Sequence, residues 1–260
     1  MNTKVKDILR YLDELAPTAL KMDFDNVGLL VGNDNCDVTA AVIALDITDD
    51  VISEAAEYGA ELIISHHPVI FNPLKSVVES DIVSRKIIKL VKQNISAICM
   101  HTNLDIADGG VNDALMDVLG AEVRGILEST DENSGCGRIG TISAAMTMPV
   151  FLSHCKSALN SKGLRYFDAG RPVKKIAVMG GSGGDCLELA VENGCDTYIT
   201  SDIKYNVFLD AKDYGINLID ADHFCTENVI VPVLYDKLSK MFPDVNFIIS
   251  KRHGQTASFF

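Results

Sequence analysis

Apolar positions along the chain fall into two alternating patterns, short unbroken runs and spaced helical faces. Residues 38–45 (VTAAVIAL), 61–65 (ELIIS) and 95–100 (ISAICM) are unbroken runs bounded by polar residues, which predicts buried strands. Residues 4–15, 49–59, 80–93 and 111–120 space their apolar residues as helices do. The second half continues in this style, with a strand running into a helix around 146–163 and a strand at 174–180. A helix at 186–194 and strands at 197–200 and 216–221 follow. Strand–helix–strand order of this kind predicts an α/β chain of mainly parallel sheets with helical crossovers. The polar, glycine-rich stretch 121–145, with ESTDENSGCGRIG in its middle, reads as the joint between two domains.

Composition narrows the functional classes. The 260 residues suffice for one large or two ordinary domains, at roughly 150 residues per domain. A 47% hydrophobic content supports a buried core without disulfide staples. The seven cysteines are odd in number and contain no CxxC pair, which favours reduced, buried thiols over a disulfide framework or a thiolate zinc site. No run approaches the roughly 18 apolar residues of a membrane span. The N-terminal MNTKVKDILRYLDEL is an amphipathic helix pattern rather than a signal peptide. The expectation is a cytoplasmic protein with no membrane partner. The net charge of −13, with only isolated basic pairs such as Lys174-Lys175 and Lys251-Arg252, argues against nucleic acid. A small anionic ligand stays compatible, since a bound metal would supply positive charge locally.

Three histidine clusters carry the candidate chemistry. IISHHPVIF places His66 and His67 directly after a predicted strand. Pro68 pushes His67 toward extended backbone, in which consecutive side chains point to opposite sides. Two adjacent metals could therefore take one imidazole each, although a His-His pair alone is as often two ordinary loop residues. CMHTNLDIADGGVND follows another strand and sets His101 four residues before Asp105, with Asp108, Gly109 and Gly110 turning the chain into the next helix. LIDADHFCTENVIV again sets a histidine, His223, four residues before a carboxylate, Glu227. A helix there would put both on one face, and a helix beginning instead at Thr226 would still leave both near the strand end. All three clusters follow the carboxyl ends of predicted parallel strands, the edge where ligands bind in open α/β sheets. Nitrogen and oxygen donors without sulfur suit zinc, iron or manganese.

Weaker features surround these. GGSGGD at 180–185 could cradle a phosphate, or simply supply a tight turn. Lys204 and Tyr205 in TSDIKYN are candidate anion contacts, and Asp25 and Asn26 sit in a loop that could rim the cleft. Cys225 reads as packed, and His154 and His253 as structural or surface residues.

With these segments assembled, the chain resembles the NGG-interacting-factor-like family of dinuclear metal proteins, whose members carry the name GTP cyclohydrolase 1 type 2 homologue. The resemblance rests on FDNVGLLVG, DITDDVISEAAEYGAELIISHHPVIF, HTNLDIADGGVND, GCGRIG, AVMGGSGGD, TSDIKYN and DADHFCTE, in that order over nearly the whole length. It is the compact form, without the domain that some members insert in the middle. The resemblance implies that His66, His67, Asp105, His223 and Glu227 bind two divalent metals, with Glu227 bridging, and that His101 lines the same pocket. Catalysis would fall to His101 and Glu227 as proton carriers. Phe24 departs from the Trp that many members have before the DNVGL loop. Two α/β domains are also implied, with the metal site at strand carboxyl ends in the interdomain cleft. With the joint at 121–145, the first takes 1–125 plus 222–260 and most metal ligands, and the second takes 126–221. The family further implies a homohexamer and hydrolysis of a nucleotide or other small anionic substrate. The rival readings are a non-catalytic metal-dependent scaffold or partner-binding ring, and a phosphoesterase.

Overall fold

The apolar runs become the central strands of two sheets in a computed structural model of the chain, which describes residues 2–131 and 134–259. The chain divides into two compact units, residues 1–107 with 231–254, and residues 108–230 with 255–260.

The first unit opens with α1 (Val5–Leu15), which buries Val5, Ile8 and Leu12. Next come β1 (Gly28–Val31), β2 (Ala40–Ala44), α2 (Asp49–Glu57), β3 (Leu62–Ser65), α3 (Ile82–Lys92), β4 (Ser96–Cys99) and α4 (Thr102–Ile106). Thr48 caps α2 by accepting from the Val51 amide, and Asp81 caps α3 by accepting from the Ser84 amide. Strands β2, β3 and β4 are buried along their whole length. Such strands need apolar cover on both faces, which is why they lack polar alternation.

The second unit comprises α5 (Val111–Val118), β5 (Ala121–Ser129), β6 (Gly135–Met146), α6 (Met148–Ala158), β7 (Arg165–Phe167), β8 (Val173–Ser182), α7 (Leu187–Glu192), β9 (Thr197–Ser201), α8 (Tyr205–Tyr214), β10 (Asn217–Asp220) and α9 (His223–Glu227). Then α10 (Ile230–Met241) and β11 (Asn246–Ile249) return the chain to the first unit. The first sheet has the order β1-β4-β3-β2-β11 and is parallel except for β1. The second has the order β5-β6-β8-β9-β10-β7, and only β8, β9 and β10 are mutually parallel.

Four expectations are corrected here. The second sheet is mixed rather than mainly parallel, because β5 and β6 follow one another without a crossover helix and can pair only antiparallel. The stretch 121–145 is accordingly a β-hairpin edge and not a domain joint, and its residues 132 and 133 lie outside the described residues. The expected strand leading into 146–163 is the first turn of α6, where Pro149 sits at a position that needs no amide donor. The division between units falls after Ala107 rather than near residue 125, and the return falls at Val231 rather than near residue 222. The helix α5 packs on the β5–β6–β8 part of the second sheet and α9 packs on β8, which draws both into the second unit, His223 and Glu227 included.

Candidate metal centre

Strand register alone gathers the first group of donors. Ala44, Ser65 and Cys99 lie on one rung across β2, β3 and β4. Two residues further along each strand stand Asp46, His67 and His101. Gly28 of antiparallel β1 pairs with Cys99, so the loop just before β1, with Asp25, meets the same edge. Neighbouring strands are about 4.8 Å apart, so four loops leaving one edge deliver their side chains within reach of one another.

Contacts follow that order across the sheet. His101 Nδ1 lies 2.8 Å from Asp25 Oδ1, and His67 Nδ1 lies 2.7 Å from Asp46 Oδ1. His66, turned to the other side, is buried and sets its Nδ1 2.8 Å from the Met100 carbonyl oxygen. Its Nε2 faces Asp105 Oδ1 at 3.6 Å. One ring nitrogen from each of His66, His67 and His101 can be chosen so that all lie within 4.8 Å of one another. Asp105 reaches this place because His101 is the N-cap of α4 and its carbonyl accepts from the Asp105 amide. Burial opposes the charge on Asp25, yet donors from His101 and Thr102 outweigh it and hold the carboxyl well below the usual carboxylate range.

Sulfur is present but already committed. Cys99 donates its thiol to the His66 carbonyl, and burial first, then Asp25 and Asp105, push that thiol far above its usual range. A thiol so held is no thiolate donor. The seven cysteines are all reduced, and Cys225 is buried as expected.

The second unit builds a smaller group. Thr200 and Asp220 share a rung of β9 and β10, and Asp202 and Asp222 stand two residues beyond. Asp222 adopts φ 76° and caps the short helix α9, its carboxylate accepting from the Cys225 amide. His223 therefore opens the helix, and Nε2 faces Glu227 Oε2 one turn on at 3.1 Å. Thr226 is inside this helix rather than its cap. His223 Nδ1 lies 2.7 Å from Asp202 Oδ2. Burial works against charging His223, but Glu227 and Asp202 outweigh it and push the imidazole up to about 9. Gly181, at φ +65°, passes so close that a Cβ there would overlap Glu227 Oε1. Gly180 and Gly181 of GGSGGD thus clear space for Glu227 at the end of β8.

Asp46 and Asp202 escaped the sequence reading, and Asp25 was noted only as a rim residue. The one available signal was their place just past a strand end, shared with each histidine. Asn26 donates to the Ile70 carbonyl at 2.7 Å and ties the two loops of the first unit together. His154 and His253 serve structure, bonding the Leu119 carbonyl and the Leu45 amide at 3.0 Å each. Tyr205 projects into solvent at the start of α8, next to Lys204.

Two α/β units set histidines and carboxylates that could hold a metal ion at the carboxyl ends of their strands. The chain belongs to the Duf34/NIF3 (NGG1p interacting factor 3) family, whose sequence profile matches residues 3–255. It is 39% identical over 252 residues to the GTP cyclohydrolase 1 type 2 homolog of Clostridium perfringens, covering 95% of this chain and 96% of that one. The homolog of the same name from Clostridium acetobutylicum is 38% identical, covering 92% and 90%. Among solved structures, the Staphylococcus aureus hypothetical protein SA1388 superposes with a TM-score of 0.91 at 29% identity over 100% of both chains. A Bacillus cereus protein related to NIF3 gives 0.91 at 25% identity over 100% and 99%. No helix among the described residues is long and apolar enough to cross a membrane.

Proposed function

We propose that the chain is a metal-dependent hydrolase of a small anionic substrate, holding two divalent cations of the zinc, iron or manganese type. Ring opening of GTP is the reaction to which the names of its relatives point. The residues that would hold the cations are His66, His67 and Asp105 from the first unit and His223 and Glu227 from the second, and the family resemblance supports Glu227 as the ligand that the two cations would share. One observation carries the reading. Each of the four histidines rests its Nδ1 on an oxygen, of Met100, Asp46, Asp25 or Asp202. In a neutral ring, an Nδ1–H donated to that oxygen leaves Nε2 as the lone-pair nitrogen and fixes the ring's aim, which is how metal-ligating histidines are normally supported. On His223 a metal would have to displace the Nε2 proton shared with Glu227.

The donor set fits such cations, being imidazole nitrogen and carboxylate oxygen with the nearby thiol engaged elsewhere. Two cations held by these residues would supply a water of lowered pKa and a positive field for a developing oxyanion. The chain's own residues do the rest. Asp25 and Asp46 orient His101 and His67, and Glu227 or His101 carries a proton between water and leaving group. The family resemblance further supports a homohexamer, which sedimentation would report as six times the chain mass.

The test is a substrate screen. Protein loaded separately with zinc, manganese and, without oxygen, iron is offered GTP, other nucleotides and simple phosphoesters, and products are separated by chromatography. Turnover that a chelator abolishes, and that His101→Ala lowers while metal content persists, supports the hydrolase. Metal-loaded protein that turns over none of these would favour the scaffold reading.

A further inference from the structure

Beside His67 lies a cavity of about 260 Å³ whose walls include Asp46, Phe71, Leu74, Asp81 and Lys86. Its size suits one small ring with one charged substituent, near the low end for ligand pockets. The walls differ in character. Phe71 and Leu74 are apolar residues left substantially exposed, which is costly unless something covers them. Phe71 sets its ring edge-on to His101, with centroids 6.2 Å apart, and Phe24 leans on it at the same separation. The apolar wall is therefore anchored to the histidine group rather than being a stray loop side chain.

The polar wall is distinctive in its charge. Both carboxylates lining the cavity are engaged, Asp46 with His67 and Asp81 with the Ser84 amide. The other cations of α3 are paired as well, Arg85 and Lys89 with Asp49, and Lys92 with Glu79. Lys86 alone on this helix has no ion-pair partner among the described residues, although it is half-buried and faces the cavity. On a chain of net charge −13, a lysine held apart from all those carboxylates marks a place for an anion from outside.

We propose that this cavity is the substrate subsite, and that Lys86 and Phe71 set its specificity for a small planar ring bearing an oxyanion. Lys86 takes the oxyanion as a charge-assisted hydrogen-bond donor, and Phe71 and Leu74 cover one face of the ring. The bond to be cleaved then lies on the His67 side. The inference rests on the hydrolase reading only for that last statement, since binding in the cavity requires no chemistry.

The probe is phenyl phosphate, compared with inorganic phosphate and phenol, titrated calorimetrically into the full chain as purified and after chelation. Metal content is measured on every sample. Saturable binding of phenyl phosphate, tighter than of either fragment and weakened by salt, is expected in both preparations. Lys86→Gln should weaken it at least tenfold, Lys86→Arg should restore most of it, and Phe71→Ala should weaken it severalfold. Lys92→Gln removes the same charge from the same helix outside the cavity and should leave binding within twofold of wild type. Equal affinity in wild type and Lys86→Gln, or no binding to wild type at millimolar concentration, would overturn the proposal. Lys86-dependent binding by protein that takes up no metal would uphold the subsite and sink the hydrolase.

Discussion

The two units carry their donors in opposite electrostatic states. In the first, His66 is sealed among apolar strands on a backbone carbonyl, His67 leans on Asp46 through the parallel register of β2 and β3, and His101 leans on Asp25 from the loop before antiparallel β1. In the second, His223 Nε2 and Glu227 Oε2 face each other at 3.1 Å, and Glu227 and Asp202 outweigh burial to push the imidazole up to about 9. The first group is preorganised, its geometry maintained by the sheet whatever is bound. The second is an ion pair that a cation must break, trading a proton for a metal.

The largest effects should separate the two by stability. His66→Ala strips a buried carbonyl of its imidazole and leaves a void, so it should cost about 1–3 kcal/mol as well as metal. His223→Ala should abolish metal binding on its side and leave buried Glu227 without its imidazole, so its cost to the chelated protein should fade as pH rises through about 9, whereas that of His66→Ala should persist. Melts on both sides of that pH and elemental analysis of both variants check this, and the same pH dependence of the two losses would erase the distinction.

Next in size are the orienting carboxylates. Asp46→Ala and Asp202→Ala each leave a ligand in place without its partner, and should weaken metal binding roughly ten- to a hundredfold. Competition with a metal-sensitive dye measures it. Asp46→Ala should be the milder, because strand register continues to aim His67, whereas His223 sits on a single short helical turn.

The smallest effect is the pH response of the chelated protein. His223 is raised in the fold from an ordinary value near 6.5, so its ion pair stabilises fully below that pH and is lost as pH rises through about 9. Asp25 behaves oppositely. Its carboxyl is depressed, so its contribution is present above about 4 and fades as pH falls. Ring-proton NMR should show His223 titrating near 9, and Asp202→Asn should lower that midpoint. A midpoint near 6.5 in the wild type would remove the claim that the second unit stores a charged pair.

Much of this was legible in the sequence because apolar runs too short for helices end at His66, His101 and, after INLIDA, His223. The supporting carboxylates were not. Asp46 stands 21 residues from His67 and Asp202 stands 21 from His223, and only sheet register reveals the pairing. The hairpin at 121–145 was misread for a different reason. Its glycines read as loop-formers in sequence, yet Gly137 sits within β6 at φ +68°, where a Cβ would crowd the Val178 carbonyl of the neighbouring strand. The division between units was hidden as well, since α5 continues a first-unit motif in sequence while packing on the second sheet.

Metal stoichiometry in Glu227→Gln and Asp105→Asn, beside wild type and with circular dichroism as the folding control, tests the central claim most directly. The wild-type chain should hold two metals after reconstitution. Asp105→Asn should weaken one of them, and Glu227→Gln should lose both, because the shared ligand also screens the repulsion between the cations. A folded Glu227→Gln chain that still binds two metals with wild-type affinity would place the bridge elsewhere, and no more than one metal in the wild type would contradict the dinuclear centre itself.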